Sequence, residues 1–390
     1  ILGNVRCVKP LDDVDSLALQ KRRHGWVNIR IASRHVMAQV LQRSGHSPHR
    51  GSTNSHEVEM LLFGRSNVRH VSSRSVNKDE RVGDRFLPFA INGLKLSLMT
   101  DRLLQQILAT IRETTGAAPA ANPPRSVSGG CINQGWHLGN GEGGYFVKTN
   151  DERFLKIFEA EAEALAQLAA TNTIRIPRPI FLGHAEGKAF LVLEWLDLCA
   201  QGNWAALGEQ LAKLHRATSP NENFGWDGDN VIGETPQPNP WTTDWTSFFL
   251  EHRLLHQIRL CSKKGLRLDG VDKLLEKVPD ILNHRPAPSL LHGDLWGGNV
   301  SFLADGRPTI FDPATYYGDR EVDLAFTEMF GRMDSKFYEA YQSEWPVPPG
   351  YSTRKRLYNL YHELNHFYLF GGIYGRQAQQ SIEWLNLSEV

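Results

Sequence analysis

Two short apolar runs around a turn signal constrain this fold more than any other feature of the chain. Ser301-Phe302-Leu303 and Thr309-Ile310-Phe311 have the composition of strands, and Asp305-Gly306 between them is a preferred two-residue hairpin turn. If the turn is centred there, paired positions sum to 611 and Asn299 lies opposite Asp312. Directly opposite Cβ atoms in such a hairpin are roughly 5 Å apart. Two oxygen ligands at that separation can share one hard cation.

A longer motif surrounds this hairpin. The segment Ser289-Leu-Leu-His-Gly-Asp-Leu-Trp-Gly-Gly-Asn-Val300 contains His292, Asp294 and Asn299 in the spacing HxDxxxxN, and Asp312 follows. Phosphoryl transfer needs one carboxylate to orient the acceptor hydroxyl, and an Asn with a second Asp to hold Mg²⁺. We therefore predict Asp294 as the catalytic base, with Asn299 and Asp312 as metal ligands. The alternative is that Asn299 and Asp312 merely cap strand ends.

A lysine and a glutamate upstream are candidates for the charged pair that positions the phosphates in such a site. Lys148 ends the strand Tyr145-Phe-Val-Lys, and Glu161 lies at the edge of the apolar face of the following helix, from about Phe158 to Ala170. A carboxylate at that edge favours a cationic partner. We expect Lys148 and Glu161 to pair and to position the phosphates of ATP. A surface lysine and an unpaired helix-edge glutamate are the alternative.

Two further segments are candidates for nucleotide contacts. Ser128-Gly-Gly-Cys-Ile-Asn-Gln-Gly135 precedes the Lys148 strand, and Gly129 and Gly130 there would let backbone N–H groups approach phosphate oxygens. Cys131 in this loop is either a redox-sensitive thiol or a simple packed cysteine. The strand Ala189–Trp195 leads into a hinge, where we expect the main chain of Glu194 and Leu196 to contact adenine. An ordinary turn is the alternative for the glycine segment.

The chain divides into parts of different character. Residues 1–98 contain 16 Lys and Arg against 8 Asp and Glu, and the remainder contains 27 against 35. Those first 98 residues lack sustained apolar periodicity, whereas Met99 opens a helix with an apolar face. We expect 1–98 to be a disordered or non-native extension, with a targeting segment or a folded appendage as alternatives. The folded part then comprises a smaller lobe at 99–196 and a larger one at 197–390.

Bulk composition excludes several classes of protein. The net charge of zero gives no case for a nucleic-acid partner, and no apolar stretch approaches the roughly 20 residues of a membrane helix. The four cysteines have neither zinc-site spacing nor a disulfide framework, which favours a reducing compartment. We expect a cytoplasmic protein, or an organellar one if residues 1–98 are a targeting segment.

With these residues in place, the chain from Met99 to about residue 381 resembles the fructosamine kinase (ketosamine-3-kinase) family, within the aminoglycoside phosphotransferase and choline kinase group. Three segments carry the resemblance: His292-Gly-Asp-Leu-Trp-Gly-Gly-Asn299, Phe224-Gly-Trp-Asp-Gly-Asp-Asn-Val-Ile-Gly-Glu-Thr-Pro-Gln-Pro-Asn239, and Asp312-Pro-Ala-Thr-Tyr-Tyr-Gly-Asp-Arg-Glu-Val-Asp-Leu-Ala325. The long middle segment is the most specific of the three.

The resemblance implies an α+β, two-lobed, protein-kinase-like fold, with a small antiparallel β-rich N-lobe and a larger, mainly helical C-lobe. It implies ATP and Mg²⁺ as cofactors and phosphorylation of the 3-hydroxyl of ketosamines, on protein or free amines, which leads to deglycation. It gives the same roles to Asp294, Asn299, Asp312, Lys148 and Glu161. Trp296 would stack on the sugar or, alternatively, plug the lobe interface. Asp323 would brace the catalytic loop, and His215 would be a structural group.

Two other functions fit part of this pattern. The first is a kinase of another small hydroxyl compound, such as an aminoglycoside or an amino alcohol, which shares the chemistry and differs in the acceptor pocket. The second is a nucleotide-binding module without turnover, against which the intact set of catalytic residues speaks. For partners we expect a ketosamine substrate, no nucleic acid and no membrane, and a monomer or weak dimer.

Overall fold

The computed structural model describes residues 101–116, 123–127, 132–139 and 144–389. The expected extension at 1–98 lies outside these residues, so its predicted character stays a prediction, as does the lobe boundary at 196/197. Among the described residues, none of the helices has both the length and the apolar character that crossing a bilayer requires.

An antiparallel sheet of five strands forms the N-lobe, in the spatial order β1-β2-β3-β5-β4. The two central strands bury apolar and aromatic side chains on both faces, which fits their Val, Phe and Leu content. The strands are, in chain order, β1 (Arg125–Val127), β2 (Gln134–Leu138), β3 (Tyr145–Asp151), β4 (Pro179–Ala185) and β5 (Lys188–Glu194).

Two helices accompany this sheet. Helix α1 (Asp101–Thr115) buries Leu103, Ile107 and Ile111, which form its apolar face, and has an acidic residue in its first turn. Helix α2 (Leu155–Ala170) is the predicted carrier of Glu161. Glu152–Phe154 forms a 3₁₀ turn that leads directly into α2, with the Asp151 side chain accepting from the Arg153 N–H.

Helices make up most of the C-lobe. A π-helical turn at Leu250–Leu254 interrupts the helical segment that runs from Trp245 to Lys263. The helices are α3 (Trp204–His215), α4 (Trp245–Phe249), α5 (Leu255–Lys263), α6 (Val271–Ile281), α7 (Glu321–Thr327), α8 (Ser335–Glu344), α9 (Tyr351–Phe370) and α10 (Tyr374–Leu387).

Short strands in the C-lobe position the catalytic segment. The hairpin of β10 (Val300–Leu303) and β11 (Pro308–Ile310) is extended by β6 (Leu198–Cys199), and β9 (Ser289–Leu291) pairs antiparallel with β12 (Tyr316–Gly318). A separate hairpin joins β7 (Asn230–Ile232) to β8 (Thr235–Gln237). Because β9 precedes the HxDxxxxN loop and β12 follows Asp312, their pairing brings the two ends of the motif together.

Candidate active site

Asp323, near the start of α7, anchors the loop that carries Asp294. The two carboxylate oxygens of Asp323 accept hydrogen bonds from the backbone N–H groups of His292, at 2.7 Å, and Gly293, at 2.8 Å. Gly293 has φ of +81°, and a Cβ atom there would lie 2.0 Å from the carbonyl oxygen of Ala314. The expectation that Asp323 braces the catalytic loop is confirmed.

Two buried histidines support the same loop. Burial lowers the pKa of His292, so its ring is neutral; Nε2 lies 3.0 Å from the carbonyl oxygen of Phe311, and Nδ1 accepts from the Asp294 N–H at 3.3 Å. His215 lies between the Tyr341 hydroxyl and Asp323, with its ring fully buried. As expected, His215 is a structural group in this arrangement.

Asp294 and Asn299 contact each other across this loop. The Asn299 side-chain Nδ2 donates to the Asp294 carbonyl oxygen at 2.9 Å and to its carboxylate Oδ2 at 3.1 Å. The pKa of Asp294 is raised to about 8, mainly by burial and to a smaller extent by the nearby Asp312 carboxylate. The Asn299 hydrogen bond opposes this shift. A carboxylate with this pKa is well matched to accepting a hydroxyl proton near neutral pH.

The hairpin register differs from the prediction by one residue. Val300 pairs with Ile310, so paired positions sum to 610 rather than 611. The loop is one residue longer than a two-residue turn, because Leu303 N–H bonds to the Arg307 carbonyl at 2.8 Å and Gly306 adopts a φ of +85°. Asn299 therefore lies opposite Phe311, and the Phe311 N–H donates to the Asn299 carbonyl oxygen at 3.2 Å.

Asp312 reaches the site through an unusual backbone conformation instead of through direct pairing. Its φ of +58° lies in the left-handed region, which Asp tolerates better than most residues. This turn places its carbonyl oxygen 3.4 Å from the Asn299 Nδ2 and its Oδ1 2.6 Å from the Lys148 Nζ. The prediction that Asn299 and Asp312 are directly paired is wrong, but both side chains still border the same space.

The residues present fit a divalent cation. The Asp312 Oδ2 is buried and makes no hydrogen bond to any described residue, which is costly for a carboxylate oxygen unless a cation or water satisfies it. Asn299 uses Nδ2 for its described hydrogen bonds, so its Oδ1 remains as a possible ligand. An amide oxygen, a free carboxylate oxygen and the adjacent Asp294 form the all-oxygen environment that Mg²⁺ prefers.

Lys148 joins the sheet of the N-lobe to this site. Its ammonium group is buried, contacts the Glu161 carboxylate and also lies 2.6 Å from the Asp312 Oδ1. Burial alone would lower the pKa of Lys148, but Asp312 and Glu161 outweigh it and raise that pKa. Burial raises the pKa of Glu161; burial also acts to raise the pKa of Asp312, but Lys148 together with the other positive groups near it lowers that pKa. The predicted Lys148–Glu161 contact is present. The second contact of Lys148, to Asp312, is not part of the prediction.

The two predicted hinge residues, Glu194 and Leu196, differ in whether their backbone N–H groups already bond to described residues. The Glu194 carboxylate accepts from the Arg178 N–H at 2.6 Å and from Arg175 Nη1 at 2.7 Å, so it holds the strand edge. The backbone N–H of Glu194 bonds to the Arg178 carbonyl. In contrast, the N–H of Leu196 makes no hydrogen bond to a described residue. Leu196 is thus the better placed of the two to donate to adenine.

Three of the predicted nucleotide-loop residues, Gly129, Gly130 and Cys131, lie outside the described residues. The phosphate-loop role of the two glycines and both alternatives for Cys131 stay predictions.

Trp296 is positioned by a close approach to Gly298. Its indole lies so near that a Cβ atom on Gly298 would sit 2.3 Å from the ring, and its other ring contact is Phe330 at 5.8 Å. These neighbours belong to the C-lobe, and the side chain is 36% exposed. This placement favours a substrate-facing role over a plug between the lobes.

The structure also assigns contacts to the long middle motif, whose role the sequence left open. The Trp226 indole N–H donates to Gln167 Oε1 at 2.7 Å, and Gln167 Nε2 lies 2.9 Å from the Tyr317 hydroxyl. Gln167 is on α2, the helix of Glu161, and Tyr317 is in β12, beyond Asp312. On its other side the motif bonds to the carbonyl oxygens of Thr315 and Ala314 through Asn230 and Gln237. The motif therefore bonds both to α2, which carries Glu161, and to the segment that directly follows Asp312.

Taken together, the site lies between an antiparallel sheet lobe and a helical lobe. It combines a half-buried carboxylate with a raised pKa, a carboxamide and carboxylate pair that fits Mg²⁺, and a lysine held by two acids. These features define a phosphotransferase of the protein-kinase-like fold.

The chain belongs to the fructosamine kinase family, whose model matches residues 103–388. It is 51% identical over 283 residues to a probable ketoamine kinase of Synechocystis sp., covering 72% of this chain and 95% of that protein. It is 38% identical over 299 residues to a chloroplastic protein-ribulosamine 3-kinase of Oryza sativa subsp. indica, covering 74% and 86% of the two chains. The predicted family and class of enzyme are confirmed.

A solved structure supports the fold. The putative fructosamine-3-kinase of Haemophilus somnus 129PT superposes with a TM-score of 0.66 at 34% identity, covering 72% of this chain and 96% of that one. The predicted two-lobed α+β fold is confirmed.

Proposed function

We propose that this ketosamine kinase transfers the γ-phosphate of ATP to the 3-hydroxyl of ribulosamine or fructosamine adducts, on protein or on free amines. The main support for this proposal is that hydrogen bonds and ion pairs bring five residues together in a chain of this family: Asp294, Asn299, Asp312, Lys148 and Glu161. The phosphorylated adduct would then break down and release the amine, so that the biological outcome is deglycation.

The proposed chemistry assigns one role to each group. Asp294 accepts the proton of the acceptor hydroxyl as its oxygen bonds to the γ-phosphorus, while the bond from that phosphorus to the ADP oxygen breaks. Lys148, fixed by Glu161 and Asp312, presents its charge to the phosphates. Asn299 and Asp312 would hold Mg²⁺, which when bound neutralises phosphate charge and lowers the pKa of the adjacent Asp294.

Two aspects of the setting are part of the proposal. We place the protein in the cytoplasm, or in an organelle if residues 1–98 are a targeting segment; a relative with a chloroplastic name gives the second possibility some support. We also retain a monomer or weak dimer as the assembly, a ketosamine as the partner, and no nucleic acid or membrane.

The test compares acceptors under identical conditions. The full chain with ATP and Mg²⁺ is given ribulosyl-lysine, fructosyl-lysine or kanamycin, and ADP release and phosphorylated product are measured. Turnover confined to the lysine adducts is the expected result and ranks the sugars. Turnover on kanamycin alone would refute the proposal in favour of an antibiotic kinase, and ATP binding without turnover on any acceptor would favour a nucleotide-binding module.

A further inference from the structure

The turn of the β7–β8 hairpin lies where the two lobes meet. Gly233 in this turn has a φ of +68°, and a Cβ atom there would lie 2.8 Å from the Leu369 Cδ1 and 3.7 Å from the Ile132 Cδ1. Leu369 is near the end of α9 in the C-lobe, whereas Ile132 lies just before β2 in the N-lobe. The two apolar side chains therefore border the same small space, and the glycine leaves room for both.

Ile132 is tied to the strand that carries Lys148. The Asn150 Nδ2 donates to the Ile132 carbonyl oxygen at 3.2 Å and to the Asn133 Oδ1 at 2.8 Å. Asn150 follows Lys148 by two residues in β3, so the two side chains lie on the same face of the sheet. A displacement of this strand would therefore carry Ile132 along with Lys148.

Leu369 and the β7–β8 hairpin belong to the part of the C-lobe that carries Asp312. The Tyr361 hydroxyl, about two turns before Leu369 in α9, donates to the Gln237 Oε1 at 2.6 Å. The Gln237 Nε2 in turn donates at 3.1 Å to the carbonyl oxygen of Ala314, which closely follows Asp312 in the chain. The hairpin and α9 are thus bonded to each other and to the segment of Asp312.

The apolar contact at this junction is only partly formed. Ile132, Gly233 and Leu369 are each half-buried. Because Ile132 belongs to the N-lobe and Leu369 to the C-lobe, a closer approach of the lobes would bury more apolar surface here, and a separation would expose it. Burial of apolar surface favours the closer arrangement.

We propose that Ile132 and Leu369 form an inter-lobe contact over Gly233, through which bound nucleotide strengthens the binding of the acceptor. This inference rests on the proposed function, in which Lys148 of the N-lobe and Asp312 of the C-lobe both act on the phosphates of ATP. A ligand held from both sides draws the lobes together and brings Ile132 onto Leu369. The two are positioning residues, since neither belongs to the groups that react.

The acceptor would gain from this contact because α9 borders the catalytic loop. His366, one turn before Leu369, contacts the ring of Phe330, which in turn contacts Trp296 beside Asp294. Fixing the end of α9 removes side-chain freedom that acceptor binding would otherwise have to remove. By linkage, the acceptor strengthens nucleotide binding by the same factor, so the effect can be measured on either ligand.

The test measures the dissociation constant of AMP-PNP, a non-hydrolysable ATP analogue, by calorimetry on the full chain with Mg²⁺, without and with saturating ribulosyl-lysine. In the unaltered chain the acceptor should tighten AMP-PNP binding about fivefold. Ile132→Ala and Leu369→Ala should each reduce this ratio below about twofold, because each removes one side of the contact. The double variant should show no further reduction, since both residues act through one contact. Leu369→Met keeps an apolar side chain of similar volume and should retain most of the ratio.

Two controls separate this effect from a general loss of structure. AMP-PNP binding without the acceptor should change little in every variant, which shows that each variant is folded. Leu275→Ala, at a half-buried leucine of α6, removes the same kind of side chain elsewhere and should leave the ratio unchanged.

The outcomes also separate this inference from the proposed function. A full ratio in both alanine variants would overturn the inter-lobe contact and leave the proposed function standing. So would a ratio near one in an unaltered chain that phosphorylates ribulosyl-lysine. If the unaltered chain phosphorylates kanamycin and no lysine adduct, the proposed function fails, and the same ratio measured with kanamycin decides the inter-lobe contact. Without turnover of any acceptor, both fail.

Discussion

Two neighbouring groups of side chains around the catalytic loop differ in kind. At the phosphate end, Lys148, Glu161, Asp294, Asn299 and Asp312 are buried or nearly so and bond to one another. At the acceptor end, the rings of Trp296, Phe330 and His366 contact one another in turn, and burial lowers the pKa of His366, so the imidazole is neutral. Under the proposed function, the first group, the phosphate end, would bind the ATP phosphates and Mg²⁺, and the second, the acceptor end, would face the acceptor.

This difference has an energetic basis. Buried charges are tolerated only when each has a partner, so the phosphate end has little freedom to vary without leaving an unpaired charge. Aromatic contacts are less directional and can be exchanged at smaller cost. We therefore expect changes at the phosphate end to affect every acceptor equally, and changes at the acceptor end to affect acceptors selectively.

The largest effect is expected for Asp294→Asn. Removing the base should lower kcat by about 10³-fold on every acceptor, while the dissociation constant for ATP changes little. Steady-state kinetics and calorimetric ATP binding measure the two quantities. Asp305→Asn, an exposed turn residue, is the matched control. Undiminished turnover in Asp294→Asn would contradict the assignment of the base.

A somewhat smaller loss is expected for Asp312→Asn. The substitution removes a negative charge from the proposed cation site and from Lys148, so kcat should fall about 10²-fold and more Mg²⁺ should be needed for half-maximal activity. A Mg²⁺ titration of turnover provides the measurement. If the Mg²⁺ dependence matches that of the unaltered chain, Asp312 is not a metal ligand.

Trp296→Ala tests whether the two ends are separable. Losing the indole face should raise the KM for fructosyl-lysine about tenfold and leave the KM for ATP unchanged. A parallel rise in both constants would instead indicate that Trp296 plugs the interface between the lobes. Trp384→Ala, an exposed tryptophan on α10, controls for the loss of a surface indole.

Trp226→Phe should have a smaller effect, confined to the phosphate end. Without the indole N–H, Gln167 loses the bond that ties the Glu161 helix to the middle motif, so kcat/KM for ATP should fall about threefold. The sharper measurement is a double-mutant cycle with Glu161→Gln. If Trp226 acts through Glu161, it should have almost no further effect in that background; a full additional loss would show that it acts elsewhere.

The sequence predicts more of the phosphate end than of the acceptor end, and the reasons are physical. Asp294, Asn299 and Asp312 lie within one local segment, where spacing and turn chemistry bring them together. The one error there came from the turn: the left-handed Gly306 closes a longer loop, and a shift of one residue moves Asn299 from Asp312 to Phe311. Asp312 regains the site through its own left-handed backbone, which no strand pattern encodes.

The acceptor end depends on tertiary contacts between distant segments. Phe330 and His366 are separated by an intervening helix and meet only because α9 packs on α7. The Gln167–Trp226 bond likewise joins α2 to the middle motif, and Gln167 has no feature in the sequence that marks it. The exception is Trp296, which lies inside the catalytic motif and could be singled out for that reason.

The smallest effect on turnover is expected at Glu363, a buried acid on the helix of His366. Burial raises the pKa of Glu363 to about 7, against the opposing Ser381 hydrogen bond. The folded protein thus holds this proton more tightly than the unfolded chain, so stability falls as pH rises from about 4.5 to 7 and stays lower above that. Glu363→Gln, neutral throughout, removes this loss.

The pH dependence of unfolding tests this sign. Relative to the unaltered chain, Glu363→Gln should gain up to about 3 kcal/mol in the free energy of unfolding between pH 4.5 and 8, while kcat/KM on every adduct changes less than about twofold. Comparing the two chains at each pH cancels the cost of placing an amide beside Ser381. Denaturant unfolding at several pH values measures the difference. A constant offset across the range would show that Glu363 is ionised when buried, and altered acceptor preference would show that this acid also acts on the acceptor end.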